Sequence, residues 1–149
     1  EIVDSTRQYA KHGIFGDCIG FRPCPYRSAL GASYLAALPN QKFADVVSEL
    51  GQRNLEKDQS ALAALPALRR TIRSRGYACR EENHWGRAVD YGEIPGAVGV
   101  AILTEGQPIG AVNLVWAAKN QSLESIVELY VSKLQAAAEV IGQEISKLI

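Results

Sequence analysis

The sequence predicts an α+β fold: an antiparallel sheet flanked by helices, closed by a long C-terminal helix. Three observations predict it. The candidate elements run strands, helices, strands, helix, which is not the repeated βαβ alternation of a parallel sheet. Two β-rich runs, AVGVAIL (97–103) and IGAVNLVW (109–116), flank TEGQP, a Gly-containing hairpin loop. Residues 122–148 then place Leu123, Val127, Tyr130, Leu134, Ala137, Ile141, Ile145 and Leu148 at steps of three and four, an amphipathic helix. At 1.5 Å per residue that helix is roughly 40 Å long, enough to cover a sheet and leave an end for a partner.

The elements follow in order. Residues 1–9, EIVDSTRQY, have extended, β-branched character and read as a strand. IFGDCIGF (14–21) reads as a second strand interrupted by glycine, after which Pro23 and Pro25 impose an extended or turning path. Ser28 is an N-cap for a small-residue helix, ALGASYLAAL, that stops at Pro39 and Asn40. A second helix spans 41–51, with Phe43, Val46, Val47 and Leu50 on one stripe and Gly51 at its end. The polar stretch QRNLEKDQ leads to a third helix that ends near Arg75, with Gly76 as the residue that turns the chain out. Pro66 either opens a shorter helix or kinks a longer one. Tyr77–Arg80 is a short strand, residues 81–94 are an irregular polar loop, and Ser122 caps the final helix with Glu124 in its first turn.

Composition bounds the function. The chain has 149 residues, 47% of them hydrophobic and 21% charged, which is one globular domain with a core. Lys+Arg and Asp+Glu both number 16, so the net charge is zero. A module that wraps nucleic acid needs a basic excess to neutralise phosphates, so this stretch is not itself the DNA-binding part of a protein. There is no apolar run long enough to span a bilayer and no leader peptide at Glu1. With no Met in it, the sequence is expected to be a piece of a longer protein. Cys18, Cys24 and Cys79 are too few and too scattered for a disulfide framework, and with two His they lack the paired spacing of a structural zinc site. The expectation is a reducing cytoplasm, no metal and no cofactor.

An enzyme would need a constellation. Cys79 and His84 lie close in sequence with Glu81 and Glu82 between them, but a nucleophile also needs its base within reach and an oxyanion hole. A strand Cys followed by a solvated loop is the simpler reading, and no G-x-S-x-G, P-loop or H-E-x-x-H occurs. The hairpin carries more. By alternation Ile109, Ala111, Asn113 and Val115 share one face, so Asn113 is an amide among apolar neighbours that bonds either backbone and core water or a ligand. On the partner strand Ala97, Gly99 and Ala101 leave a face nearly bare, for close helix packing or for a small molecule. Arg80 holds an anionic ligand or pairs with a neighbouring carboxylate. Trp85 covers a pocket or anchors a subunit contact. Arg69, Arg70, Arg73 and Arg75 read as the solvated side of a helix.

These residues carry a family likeness. RSALGASYLAALP (27–39) resembles the start of the first effector-domain helix in IclR-type bacterial transcription regulators. IRSRGYACREENHWG (72–86) resembles that family's helix-to-strand segment leading into an acidic loop. AVGVAILTEGQPIGAVNLVW (97–116) resembles its central hairpin, and LQAAAEVIGQEI its closing helix. The four occur in order over nearly the whole chain. DST (4–6), GFRPCP (20–25) and VNLVW (112–116) look more like the branch that regulates catabolism of aromatic acids.

The resemblance implies a GAF-like effector-binding domain over residues 1–149, a ligand sensor rather than an enzyme, which binds a small organic acid between sheet and helices. Carried over position by position, the pocket residues are Ala29, Leu30, Arg80, Ala97, Asn113 and Val115. Where regulators of small keto acids use an acidic loop residue and two serines, this chain has Arg80, Asn113 and Val115, which fits a larger, partly aromatic carboxylate. The resemblance also implies a homodimer or homotetramer and contact with DNA only through a winged helix-turn-helix that lies, with the effector domain's first helix and strand, outside this sequence. Three rival readings remain: a GAF-type sensor of another signalling protein, a small Cys-dependent enzyme, and a structural dimerisation domain without a ligand.

Overall fold

The computed structural model describes residues 1–5, 19–53, 58–86 and 92–148. Its elements are α1 (Ala29–Ala37), α2 (Asn40–Arg53), α3 (Gln59–Arg75), β1 (Ala78–Cys79), β2 (Gly96–Thr104), β3 (Gln107–Trp116), α4 (Leu123–Ile126), a π-helical stretch (Val127–Val131) and α5 (Ser132–Ser146). Among the described residues the sheet has three antiparallel strands in the order β1-β2-β3. α1, backed by α2 and α3, covers one face, and α4–α5 covers the other. This is the expected α+β layering.

Local chemistry sets the boundaries. Ser28 caps α1 by accepting the Gly31 N–H at 3.0 Å, and Ser122 caps α4 by accepting from Ser125 at 3.2 Å. Gly76, at φ +82°, ends α3 with its N–H on Ile72 O at 2.8 Å. β2 and β3 are joined by Glu105 and Gly106, at φ +52° and +74°, so the loop has two residues with positive φ rather than the five of TEGQP.

Several expectations are corrected. Residues 1–5 do not form a strand, although Ile2 exchanges backbone hydrogen bonds with the 20–21 segment at 2.8 and 2.9 Å. Residues 19–20 form a turn, and the rest of both expected strands, 6–9 and 14–18, lies outside the described residues, as does Cys18. Gly51 does not end α2, which continues to Arg53. Of the two alternatives for Pro66 the longer helix holds, since Pro66 lies inside α3. The final helix is not one continuous α-helix. The π-helical stretch inserts extra residues per turn, and the buried face moves by one position: Ala138 and Gly142 are buried where Ala137 and Ile141 were expected.

The core has three parts. Tyr26, Leu35, Leu38, Phe43, Leu62 and Leu65 join α1, α2 and α3. Ala32, Ala36, Ile72 and Ala78 seat α1 and α3 against β1, and Val98, Ile126 and Val131 hold the final helix to the opposite sheet face. Two glycines permit the closest approaches. A Cβ on Gly99 would collide with the Ala29 carbonyl at the start of α1, and one on Gly142 with the Leu103 carbonyl of β2. Arg69 and Arg73, read as solvated, close the other end of α1. Arg73 donates to Ala36 O at 2.7 Å and Leu38 O at 2.9 Å, and Arg69 donates to the same two carbonyls.

Candidate functional site

A cavity of about 100 Å³ opens where α1 begins. Four parts of the chain wall it. The first turn of α1 contributes Ser28, Ala29 and Leu30, and the segment before it Phe21, Pro23 and Cys24. The N-terminal residues Ile2, Asp4 and Ser5 form a second side. Arg80, leaving β1, is followed by His84, Trp85 and Gly86, and β3 supplies Asn113 and Val115.

Five of the six residues picked from the sequence meet here: Ala29, Leu30, Arg80, Asn113 and Val115. Ala97 does not. It is buried opposite Val115 in the β2–β3 register, where its carbonyl accepts the Arg80 N–H at 3.0 Å. The bare face of β2 is filled by the first turn of α1 seated on Gly99, so its small residues serve packing at that point rather than ligand space.

The electrostatics follow from these positions. Ala29 and Leu30 are the first two residues of α1, so their N–H groups have no intrahelical acceptor and the positive end of the helix dipole meets the cavity. Arg80 is half-buried, and burial pulls its pKa down, yet a guanidinium stays charged at neutral pH. Its Nε is buried without a hydrogen-bond partner among the described residues. Its guanidinium lies 5.2 Å from the centroid of the Trp85 ring. The neighbouring carboxylate, Glu81, is engaged elsewhere: it accepts from Arg27 at 2.5 Å, and Arg27 also donates to Asp58 at 2.8 Å. These two hydrogen bonds hold Arg27 above the usual arginine pKa. The surface pair weighed for Arg80 is therefore made by Arg27 instead, and Arg80 is left facing the cavity.

Asp4 supplies a counter-charge on the opposite wall, where its Oδ1 accepts the Ser5 N–H at 2.7 Å. Burial first, then the positive charge of Arg27, pushes the His84 pKa down, so its imidazole is neutral at pH 7. Asn113 is half-buried, and its amide makes no hydrogen bond to another described residue. The wall thus carries a cation, the first turn of α1, a neutral imidazole, an amide and the Asp4 carboxylate, together with the rings of Phe21 and Trp85.

The rival pair, Cys79 and His84, is not brought together. Cys79 packs with Val98, Ile126 and Val131 on the α5 side of the sheet, while His84 lines the cavity on the α1 side. Burial raises the Cys79 pKa, which keeps the thiol protonated and unreactive. Among the described residues no cluster of His, Cys, Asp or Glu could hold a metal ion, and no helix is long and apolar enough to cross a membrane. Sequence reasoning missed Phe21, Asp4 and His84 as wall residues. Phe21 and Asp4 lie far from Arg80 in sequence, and His84 had been weighed only as a partner for Cys79.

No protein-family model matches the sequence, and no curated protein matches it. Solved structures do. IclR of Thermotoga maritima superposes with a TM-score of 0.65 at 26% identity, over 86% of this chain and 49% of that one. An IclR-family transcriptional regulator from Brucella abortus gives 0.67 at 18% identity, over 85% and 46%. The inducer-binding domain of the PobR transcription factor from Acinetobacter, a double mutant in complex with 3-hydroxybenzoic acid, gives 0.62 at 17% identity, over 90% and 76%. The chain covers 53%, 52% and 46% of the first regulators it matches, about half their length.

Proposed function

We propose that this chain, which has the fold of the effector-binding domains of IclR-family transcriptional regulators, senses a small organic carboxylate in the cavity at the start of α1. The observation that carries the reading is Arg80: a guanidinium facing a cavity, with a buried Nε that lacks a partner among the described residues, beside the N-terminus of a helix. A carboxylate supplies what both donors lack. Phe21 and Trp85 favour an acid with an aromatic ring. That the PobR domain is solved with 3-hydroxybenzoic acid supports the same class.

In this reading the pocket residues are Ala29, Leu30, Arg80, Asn113 and Val115, joined by Phe21, His84 and Trp85. The protein is a cytoplasmic regulator, not an enzyme, and a homo-oligomer. It contacts DNA through a winged helix-turn-helix encoded upstream of these residues. The acid shifts the population of two domain arrangements by binding one better than the other.

The test is a thermal-shift screen against aromatic and aliphatic carboxylates, followed by calorimetry. A ligand at about a hundred times its Kd stabilises by roughly 2.7 kcal/mol, worth several degrees in a domain of this size. The expected result is a shift with benzoate-like acids that is lost in Arg80→Ala and weakened in Asn113→Leu. A flat screen on folded protein, or a shift that survives Arg80→Ala, refutes the reading.

A further inference from the structure

A folded turn holds His84 at the cavity. Its N–H donates to Glu81 O at 3.1 Å, and the Glu81 N–H donates to Arg27 O at 2.9 Å, just before α1. Asn83, inside the turn, takes φ +61°, a left-handed conformation that asparagine tolerates. The ring has close neighbours. A Cβ on Gly86 would lie 3.3 Å from His84 Nε2 and 4.0 Å from Phe21 Cζ, so imidazole and phenyl ring meet at one point of the wall.

Charged groups from three parts of the chain face this imidazole. Arg27 stands before α1, Asp58 at the start of α3, and Arg80 and Glu81 just after β1. The cavity adds the Asp4 carboxylate and the Cys24 thiol. Burial opposes a proton on His84 most, and Arg27 next; Glu81 and Asp58 favour the proton, and Arg80 opposes it. Arg27 is already balanced, since Asp58 and Glu81 both accept from it. Arg80 pairs with no carboxylate among the described residues.

We propose that a carboxylate enters this site together with one proton, which His84 takes up from solvent. The inference rests on the carboxylate site proposed above and gives it a second cation. An anion on Arg80 offsets the one nearby charge that no described carboxylate balances, and it attracts a proton to the imidazole on the same cavity wall. By linkage the proton draws in the anion by the same factor. The ring is neutral at pH 7 in the empty site, and occupancy raises its proton affinity. Acid affinity therefore rises as pH falls through the titration of the occupied site, and it levels off once the empty site is protonated too. The cavity reads acid and proton as a pair.

Calorimetry with benzoate and with 3-hydroxybenzoate tests it, from about pH 5.5 to 8 in buffers of differing ionisation enthalpy. A free carboxylic acid titrates near about pH 4, below this window. The expected results are net proton uptake near pH 6 and a Kd lower by about fivefold or more at pH 5.5 than at pH 8. In His84→Gln the uptake vanishes, and Kd, whatever its value at pH 8, changes by less than about twofold across the window. His12→Gln, at the chain's other histidine, keeps both effects. Imidazole NMR on the wild type reads the same proton directly: saturating acid raises the proton affinity of His84 by the factor seen in Kd. That reading stands even where His84→Gln binds too weakly to titrate. Acid binding without proton uptake overturns the inference and leaves the carboxylate site in place, as does a His84 titration that does not move on binding. Uptake that persists in His84→Gln does the same. No binding at any pH overturns both.

Discussion

Adding the same methyl group at two glycines should change stability in opposite directions. Gly142 and Gly51 both lie inside helices. At Gly142 a Cβ would collide with the Leu103 carbonyl oxygen and approach its carbon at 3.1 Å, so α5 must lift from β2 or the strand must give. Overpacking of this kind costs about 1–3 kcal/mol. The lift also strains the hydrogen bond from Thr104 Oγ1 to Gly142 O, 3.2 Å long and worth about 0.5–1 kcal/mol. Better helix propensity returns about 1 kcal/mol. The balance for Gly142→Ala is a loss of about 0.5–3 kcal/mol, or roughly 1–12 °C in Tm. At Gly51 no atom lies within 4 Å of the added Cβ, so only propensity acts, and Gly51→Ala gains about 0.4–1 kcal/mol, or about 1–4 °C. Paired thermal melts followed by circular dichroism decide it. If Gly142→Ala raises Tm as Gly51→Ala does, α5 is not seated on the hairpin backbone and the packing described here is wrong.

Other consequences are as direct. Burial, then the hydrogen bond to Asp58, pushes the Tyr26 pKa from 10.0 up to about 12, so the native state disfavours its phenolate. Its folded pKa lies above the unfolded one, so the stability it contributes is present below pH 10 and is lost between about pH 10 and 12, on the order of 2–3 kcal/mol. Ultraviolet titration should show one of the six tyrosines lagging the rest, and all six ionising together in folded protein would contradict it. Cys79 should resist iodoacetamide at pH 8 until the protein is unfolded, as mass spectrometry of the alkylated peptide would show; rapid native labelling would mean its site is open. Arg73→Met removes donors to Ala36 O and Leu38 O, which Arg69 still reaches, and should cost about 0.5–1.5 kcal/mol in urea unfolding. A change below about 0.5 kcal/mol would mean that the end of α1 needs no such cap.

What was legible in the sequence was mostly local. Alternation and a glycine marked the β2–β3 hairpin, Ser28 and Ser122 marked helix starts, and Gly76 marked the end of α3, because each depends on groups a few residues away. Non-local facts were hidden. Arg69 and Arg73 looked like a solvated face because their acceptors lie 31 to 37 residues earlier, at the end of α1. The extended character of residues 1–5 is real, but a strand needs a ladder, and Ile2 finds only the 20–21 segment. Heptad-like counting along the final helix assumed a constant turn, so the π-helical stretch put Ala137 and Ile141 on the wrong side. At the site, Ala29, Leu30, Arg80, Asn113 and Val115 were legible through the resemblance. Ala97 misled because small residues suit a void and a close contact equally, and only the seat of α1 on Gly99 decides between them.

α1 is nine residues long and has no slack at either end. Its first turn rests on the backbone of β2 and borders the cavity, while its last carbonyls are gripped by two guanidiniums of α3. A helix is stiff along its axis, so α1 behaves as a strut rather than a cushion. An occupant that displaces the first turn delivers that movement to α3 some 13 Å away at 1.5 Å per residue, where the arginines carry it into the rest of the helical layer. On the proposed function, α3, which does not line the cavity, is therefore the place where its occupancy would be felt.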